Sequence, residues 1–326
     1  MEFMPNFQLH RPKTVGDAVE LGAKEINARY VAGGTDMVVN VRRGIEQPDN
    51  LIELTDIAEM KNIVLDDDGV HIGAAVTLKE IAENDYIGEN YQAVCEAAAA
   101  VAGPTHQAYG TLGGNLCLDT RCLYYNQSEW WRQSNAYCLK ERGEICHVAP
   151  GGKRCFAAFS GDVAPSLLVY RAEVDIAGPQ GNRRVALSDL YRNDGLDHLT
   201  LEPGEIVTNV HLPKSLAGCP SRYEKARVRG SIDFPLAGAA VRLQTDDSGK
   251  IEDIAIALTG VNPIPLIVTG SDQLIGVKPG EDDLDKLRDN VRKQAKPMTT
   301  TTVAPWYRRR VVGALARRLT AELCAS

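Results

Sequence analysis

The sequence predicts an α+β chain of two domains, 1–217 and 218–326, with a cysteine-bearing loop inserted in the first. Three observations predict it. The length of 326 residues accommodates about two units of ~150 residues each. Strand-like and helix-like segments alternate on both sides of a break at 212–220, which holds Pro213 and Pro220. Between 117 and 158 the apolar periodicity lapses, and five of the eight cysteines gather there, at Cys117, Cys122, Cys138, Cys146 and Cys155.

In chain order, Thr14 caps a helix to about residue 25, with Val15, Ala18, Val19 and Leu21 mostly on one side. A strand over 30–32 runs into Gly33-Gly34-Thr35-Asp36, a helix follows over 37–43, and 51–54 is a further strand. Asp66-Asp67-Asp68-Gly69 reads as a hairpin turn between strands at 62–65 and 70–75. Thr77 and Glu80 form a capping box. A helix from residue 91 stops at Gly103-Pro104, and 110–115 forms a second glycine-rich turn. Regular signals resume at 164–173 after the excursion. Strands at 237–244 and 251–258 precede a helix near 282–296, a polar connector at 298–305 and a basic amphipathic helix at 306–322. The arginines of that helix, Arg308, Arg309, Arg310, Arg317 and Arg318, are expected in solvent.

Acidic residues outnumber basic ones, 43 against 36, for a net charge of −7. Such a surface has no general attraction for nucleic acid or anionic lipid. Residues 1–12 show no basic segment followed by an apolar core. The longest apolar run, 97–103, falls far short of the ~20 residues of a membrane span. The expectation is a soluble cytoplasmic protein, where a disulfide network is disfavoured. Metal or redox chemistry then leads as the reading of the cysteines.

A dinucleotide pyrophosphate carries negative charge and needs donors that approach closely, which backbone N–H groups in a tight glycine turn provide. Gly33 to Asp36 stand after a strand and before a helix, and Thr111 to Asn115 offer a second set. Neither turn matches G-x-G-x-x-G, which disfavours a Rossmann site, and either alone also reads as plain loop geometry.

Taken together, Ala32-Gly33-Gly34-Thr35-Asp36, Thr111-Leu112-Gly113-Gly114-Asn115 and Ser160-Gly161-Asp162-Val163-Ala164-Pro165, followed by Lys225, Arg229 and Asp233, resemble the FAD subunits of the molybdenum hydroxylases. That family includes xanthine dehydrogenase and carbon monoxide dehydrogenase, and the resemblance covers nearly the whole chain. It implies a two-subdomain FAD-binding domain of the PCMH-like type over 1–217 and a C-terminal flavoprotein domain over 218–326. It further implies that Tyr30, Val31, Ala32, Gly33, Gly34, Thr35, Asp36 and Met37 hold the FAD pyrophosphate, together with Thr111, Leu112, Gly113, Gly114 and Asn115. Val101, Asp162, Val207 and Lys225 are implied as further FAD contacts, Asp162 as an acceptor and Lys225 as a mobile cation. Where the family has a Gln-Ile-Arg-Asn-like stretch before the second turn, this chain has Thr105-His106-Gln107-Ala108.

From Cys122 the cysteine spacing is C-x15-C-x7-C-x8-C. Four thiolates suffice for a structural zinc or a [4Fe–4S] cluster. Zinc ligands usually arrive as close pairs, and these four contain none, so the spacing suits a larger cofactor somewhat better; ligand identity alone leaves both open. Beside a flavin, a cluster would relay single electrons, whereas zinc would only brace the loop.

The excursion, with Cys122-Leu123-Tyr124-Tyr125-Asn126-Gln127-Ser128-Glu129-Trp130-Trp131, resembles the cluster-bearing branch of the family, the 4-hydroxybenzoyl-CoA reductases. That resemblance implies a [4Fe–4S] cluster on Cys122, Cys138, Cys146 and Cys155, with Cys117 outside the set. It implies a molybdopterin-containing alpha subunit and a [2Fe–2S] gamma subunit in a hetero-oligomer, a dimer of heterotrimers. Reduced ferredoxin would be the electron donor, and 4-hydroxybenzoyl-CoA would be dehydroxylated to benzoyl-CoA on the partner chain, leaving no catalytic residue here. The alternatives are the FAD subunit of an oxidative xanthine- or CO-dehydrogenase-like hydroxylase with a zinc loop, and a metal-stabilised scaffold that has lost its flavin.

Overall fold

A computed structural model describes residues 4–325. Three sheets organise the chain. The first is small and parallel: Asn50–Glu53 lies between Gln8–His10 and Ala28–Val31. Parallel strands need crossovers: the helix Val15–Lys24, started by the Thr14 side chain accepting from the Asp17 N–H, joins the two outer strands, and the helix Met37–Arg42 joins Ala28–Val31 to its neighbour Asn50–Glu53. The second is a five-stranded antiparallel sheet in the order Ile63–Leu65, Gly69–Gly73, Ile206–Pro213, Glu173–Gly178 and Gly181–Ala186. Its central strand, Ile206–Pro213, enters from far along the chain, so the sheet closes only after the cysteine excursion has left and returned. The third sheet is antiparallel: Ser221–Ala226, Ala237–Thr245, Ile251–Thr259 and Leu266–Ile267. Helices Glu281–Gln294 and Pro305–Ala325 cover it and close a core with Val241, Ile256, Leu258, Val291 and Val312.

A larger core joins the first two sheets to the helices Gln92–Ala100 and Val163–Val169. A third cluster is small and lies within the excursion: Cys122, Tyr125, Cys138, Cys155 and Ala157, with Ile45 packed against it. The excursion has one short helix, Glu129–Ser134. Among the described residues no helix is long and apolar enough to cross a membrane.

Three expectations change. Pro104 does not simply end a helix; it opens another, Pro104–Tyr109, because proline is tolerated at a first helical position where the missing N–H has no intrahelical partner. The second glycine-rich turn is a one-turn helix, Leu112–Leu116, capped by Thr111. The last helix is only in part a solvated basic face: Arg310 is exposed. Arg308 is fully buried and donates to the carbonyls of Leu236, Met298 and Gly260. Arg317 pairs with Asp285 and Glu281, and Arg318 with Glu224.

Candidate functional site

The two glycine-rich segments meet. A Cβ on Gly33 would stand 1.7 Å from the Tyr109 carbonyl oxygen and 3.1 Å from the Gly110 nitrogen, so only glycine lets the first turn pass this close. Gly34 has a φ of +69° and turns the chain into the helix Met37–Arg42. From the other side, a Cβ on Gly110 would lie 3.6 Å from Thr35 Oγ1. Among the described residues nothing accepts from the N–H groups of Gly33, Gly34, Thr35 or Asp36. Four consecutive free donors in a half-buried turn suit an anionic group.

The second segment does something else. Its N–H groups at Leu112, Gly113 and Asn115 donate to the carbonyls of Val76, Ala74 and Thr111, and Gly114 donates to Thr111 Oγ1. Four of the five expected donors therefore already have partners inside the protein, and among the described residues only the Thr111 N–H has none. These residues brace the cradle: Asn115 Oδ1 accepts from the Val163 N–H, tying the segment to the helix that follows Asp162.

The remaining predicted contacts fall in distinct places. The Tyr30 hydroxyl lies within hydrogen-bond distance of the carbonyls of Ala18 and Gly204, so this side chain points away from the turn it precedes. Val31 is buried, while Ala32 and Met37 are half-buried beside the turn. The Val101 carbonyl accepts from Gln107 Nε2 at 2.8 Å. Val207 is a core residue of the five-stranded sheet, opposite Ile176.

Lys225 is not a mobile cation. Its ammonium is buried, 3.0 Å from Asp162 Oδ2 and 3.1 Å from the Asp233 carbonyl. Asp162 Oδ1 accepts from the Tyr223 hydroxyl at 2.6 Å, so both carboxylate oxygens are engaged where the start of the helix Val163–Val169 meets the third sheet. Burial pushes this carboxyl upward, against the pull of Lys225 and the Tyr223 hydrogen bond.

The four predicted cysteines of the excursion are free and all buried. Cys122, Cys138 and Cys155 share the small cluster, and Cys146 lies within electrostatic reach of each of them. Burial pushes the Cys122 thiol up to about 11 and the Cys155 thiol up to about 12, and it raises Cys138 as well. Backbone N–H groups oppose that push: Tyr124 and Tyr125 toward Cys122, Lys140 and Glu141 toward Cys138, and Ala157 toward Cys155. Donors aimed at sulfur favour thiolate, the form that ligates metal. Among the described residues, no three His, Cys, Asp or Glu side chains are drawn together tightly enough to clasp a single metal ion. Four buried free thiols, three with N–H groups directed at them, nonetheless fit the donor chemistry of a thiolate-held metal group. Cys117 follows the second segment outside this cluster, its thiol pushed by burial up to about 12.

Cations that the sequence reading passed over surround this loop. Lys140 is buried and donates to Asp119, Thr120 and the Gly195 carbonyl, with its ammonium 5.0 Å from the Tyr125 ring. Arg132, also buried, donates to Glu129 and the Gly44 carbonyl, joining the excursion to the end of the helix Met37–Arg42. Arg121 pairs with Asp36 itself. Their one sequence signal is position within a few residues of a cysteine, and that pattern has no specificity. His147, next to Cys146, faces the Tyr137 carbonyl at 2.6 Å and stacks on Tyr124.

Comparison with known proteins identifies the two domains. Residues 5–215 match the model of the FAD binding domain in molybdopterin dehydrogenase, and residues 221–323 match the CO dehydrogenase flavoprotein C-terminal domain. The aldehyde oxidoreductase FAD-binding subunit of Escherichia coli (strain K12) is 30% identical over 278 residues, 82% of this chain and 86% of that one. The carbon monoxide dehydrogenase medium chain of Afipia carboxidovorans is 27% identical over 315 residues, 96% of this chain and 95% of that one. A crystal structure of Cu,Mo-CO dehydrogenase contains a chain that superimposes with a TM-score of 0.81 at 26% identity, covering 99% of each chain.

Proposed function

The chain belongs to the FAD-binding subunits of the molybdenum hydroxylases, and from that membership we propose that it is the electron-relay subunit of a 4-hydroxybenzoyl-CoA reductase. Residues 1–217 form its FAD-binding domain and 218–326 its C-terminal domain. Gly33 to Asp36 receive the FAD pyrophosphate, and the segment 111–115 braces them. Cys122, Cys138, Cys146 and Cys155 ligate a [4Fe–4S] cluster. The observation that carries this reading is that Cys122, Cys138 and Cys155 are buried in one small cluster with Cys146 in electrostatic reach, while Arg121 ties the loop to Asp36 of the first turn.

With both groups bound, the flavin and the cluster supply one- and two-electron transfer between reduced ferredoxin and the [2Fe–2S] and molybdenum centres of partner subunits. Removing a phenolic hydroxyl from 4-hydroxybenzoyl-CoA consumes two electrons and two protons and releases water, which calls for a strong donor. This chain's own residues do no chemistry on the ring. They hold the two redox groups, keep water from the buried thiols and fix the spacing between sites.

A second reading has support in the relatives, whose names are those of xanthine, aldehyde and carbon monoxide oxidoreductase subunits. In it the chain serves an oxidative hydroxylase and the thiols hold structural zinc. The test is the intact complex, purified without oxygen and given a low-potential donor. Benzoyl-CoA formation that disappears in the Cys138→Ser complex supports the reductase. A complex that oxidises its substrate and keeps full activity in that variant overturns it.

A further inference from the structure

The cysteine excursion places a cation on the nucleotide cradle. Arg121 and Ala158 pair as an antiparallel bridge, with N–H to carbonyl distances of 2.7 and 2.8 Å, where the chain enters and leaves the loop. From this bridge the Arg121 side chain, 14% exposed, reaches back to donate from Nη2 to Asp36 Oδ1. Its guanidinium lies 4.8 Å from the centroid of the Phe234 ring, which holds it from the side of the C-terminal domain. Asp36 Oδ2 accepts from Asn40 Nδ2 at 3.0 Å. One nitrogen of the guanidinium thus serves Asp36, while the buried Nε has no partner. A guanidinium has five N–H donors in a fork that matches phosphate geometry.

Asp36 closes the run of free N–H groups that faces the pyrophosphate. Alone, its carboxylate would repel a phosphate bound to those donors; paired with Arg121, its charge is offset and further donors remain. We propose that Arg121 is an FAD-binding residue, which neutralises Asp36 and turns its remaining N–H groups to the pyrophosphate. The loop that carries the cysteines thereby supplies the cradle's cation. This rests on the reading that residues 33–36 receive the FAD phosphates.

The test measures FAD and riboflavin dissociation constants on the full chain by flavin fluorescence, at low and high salt, for the wild type, Arg121→Gln and Arg121→Lys. Riboflavin has no phosphate. Arg121→Gln weakens FAD binding about tenfold or more and flattens its salt dependence, with riboflavin binding and the thermal midpoint of the flavin-free protein little changed. Arg121→Lys recovers part of the affinity and keeps the salt dependence. Wild-type FAD affinity in Arg121→Gln overturns the assignment. So does equal weakening of FAD and riboflavin in both variants with an unchanged salt dependence, which would mark a purely structural role. A wild-type chain that binds no FAD removes the underlying reading, and the assignment with it.

Discussion

Replacing Gly33 with alanine sets a single methyl group against the backbone that joins the two glycine-rich segments proposed to hold the flavin. The new Cβ would stand 1.7 Å from the Tyr109 carbonyl oxygen and 2.4 Å from its carbon, whereas ordinary contact begins at 3.4 Å. The turn and the 109–110 segment must therefore part by 3.4 − 1.7, about 1.7 Å, and both obstructing atoms are backbone, so no side chain can swing aside. Overpacking of this kind costs about 1–3 kcal/mol. If the displacement falls on the free N–H groups of residues 33–36, FAD affinity drops roughly five- to hundredfold. Flavin fluorescence titration of the full chain measures it. Gly151→Ala is the control, since nothing lies within 4 Å of a Cβ there. An alanine variant at position 33 that binds FAD as tightly as the wild type would refute the cradle.

Three other outcomes are expected. Lys225→Met strands the buried Asp162 carboxylate and lowers stability by about 3–5 kcal/mol in urea unfolding, while adding Asp162→Asn restores part of the loss; strictly additive losses would dissolve the pair. Cys138→Ser loses iron and sulfide yet retains FAD, checked by metal analysis and the visible spectrum; full iron in that variant counts against its place among the ligands. The third concerns pH. Burial holds the His198 pKa below its ordinary value, with Nε2 3.0 Å from the Leu118 carbonyl. As the pH falls below about 6.5, the unfolded chain takes up a proton that folded His198 refuses, so stability declines until the folded imidazole also titrates. His198→Gln flattens that part of the melting profile, leaving a residual slope from His211, which burial and neighbouring His71 shift in the same direction. Superimposable profiles would exclude the contribution of His198.

Local chemistry was legible where one or two residues dictate it. Thr14, Thr77 and Glu80 cap helices because their side chains answer N–H groups within three residues. Asp66 closes its hairpin through N–H bonds from Asp68 and Gly69. The glycine-rich segments were visible as a pair, but their division of labour was not, since a free N–H and one bonded to Val76 or Ala74 have the same sequence. Pro104 follows a helix end and opens the next helix, and the residue type serves both roles. Long-range partners set the remaining limits. Lys225 reads as a mobile cation until Asp162 is brought beneath it, and Arg308 in a run of three arginines gives no sign of the carbonyls that surround it. Arg121 needed both the excursion and the first turn in place before its pairing with Asp36 could be seen.

The central claim is that a flavin and an iron–sulfur cluster share this one polypeptide. Elemental analysis of the chain purified without oxygen, with FAD quantified on the same sample, addresses it most directly. About four irons with matching sulfide and one FAD per chain are predicted. One zinc with FAD, or FAD with neither metal, would contradict it.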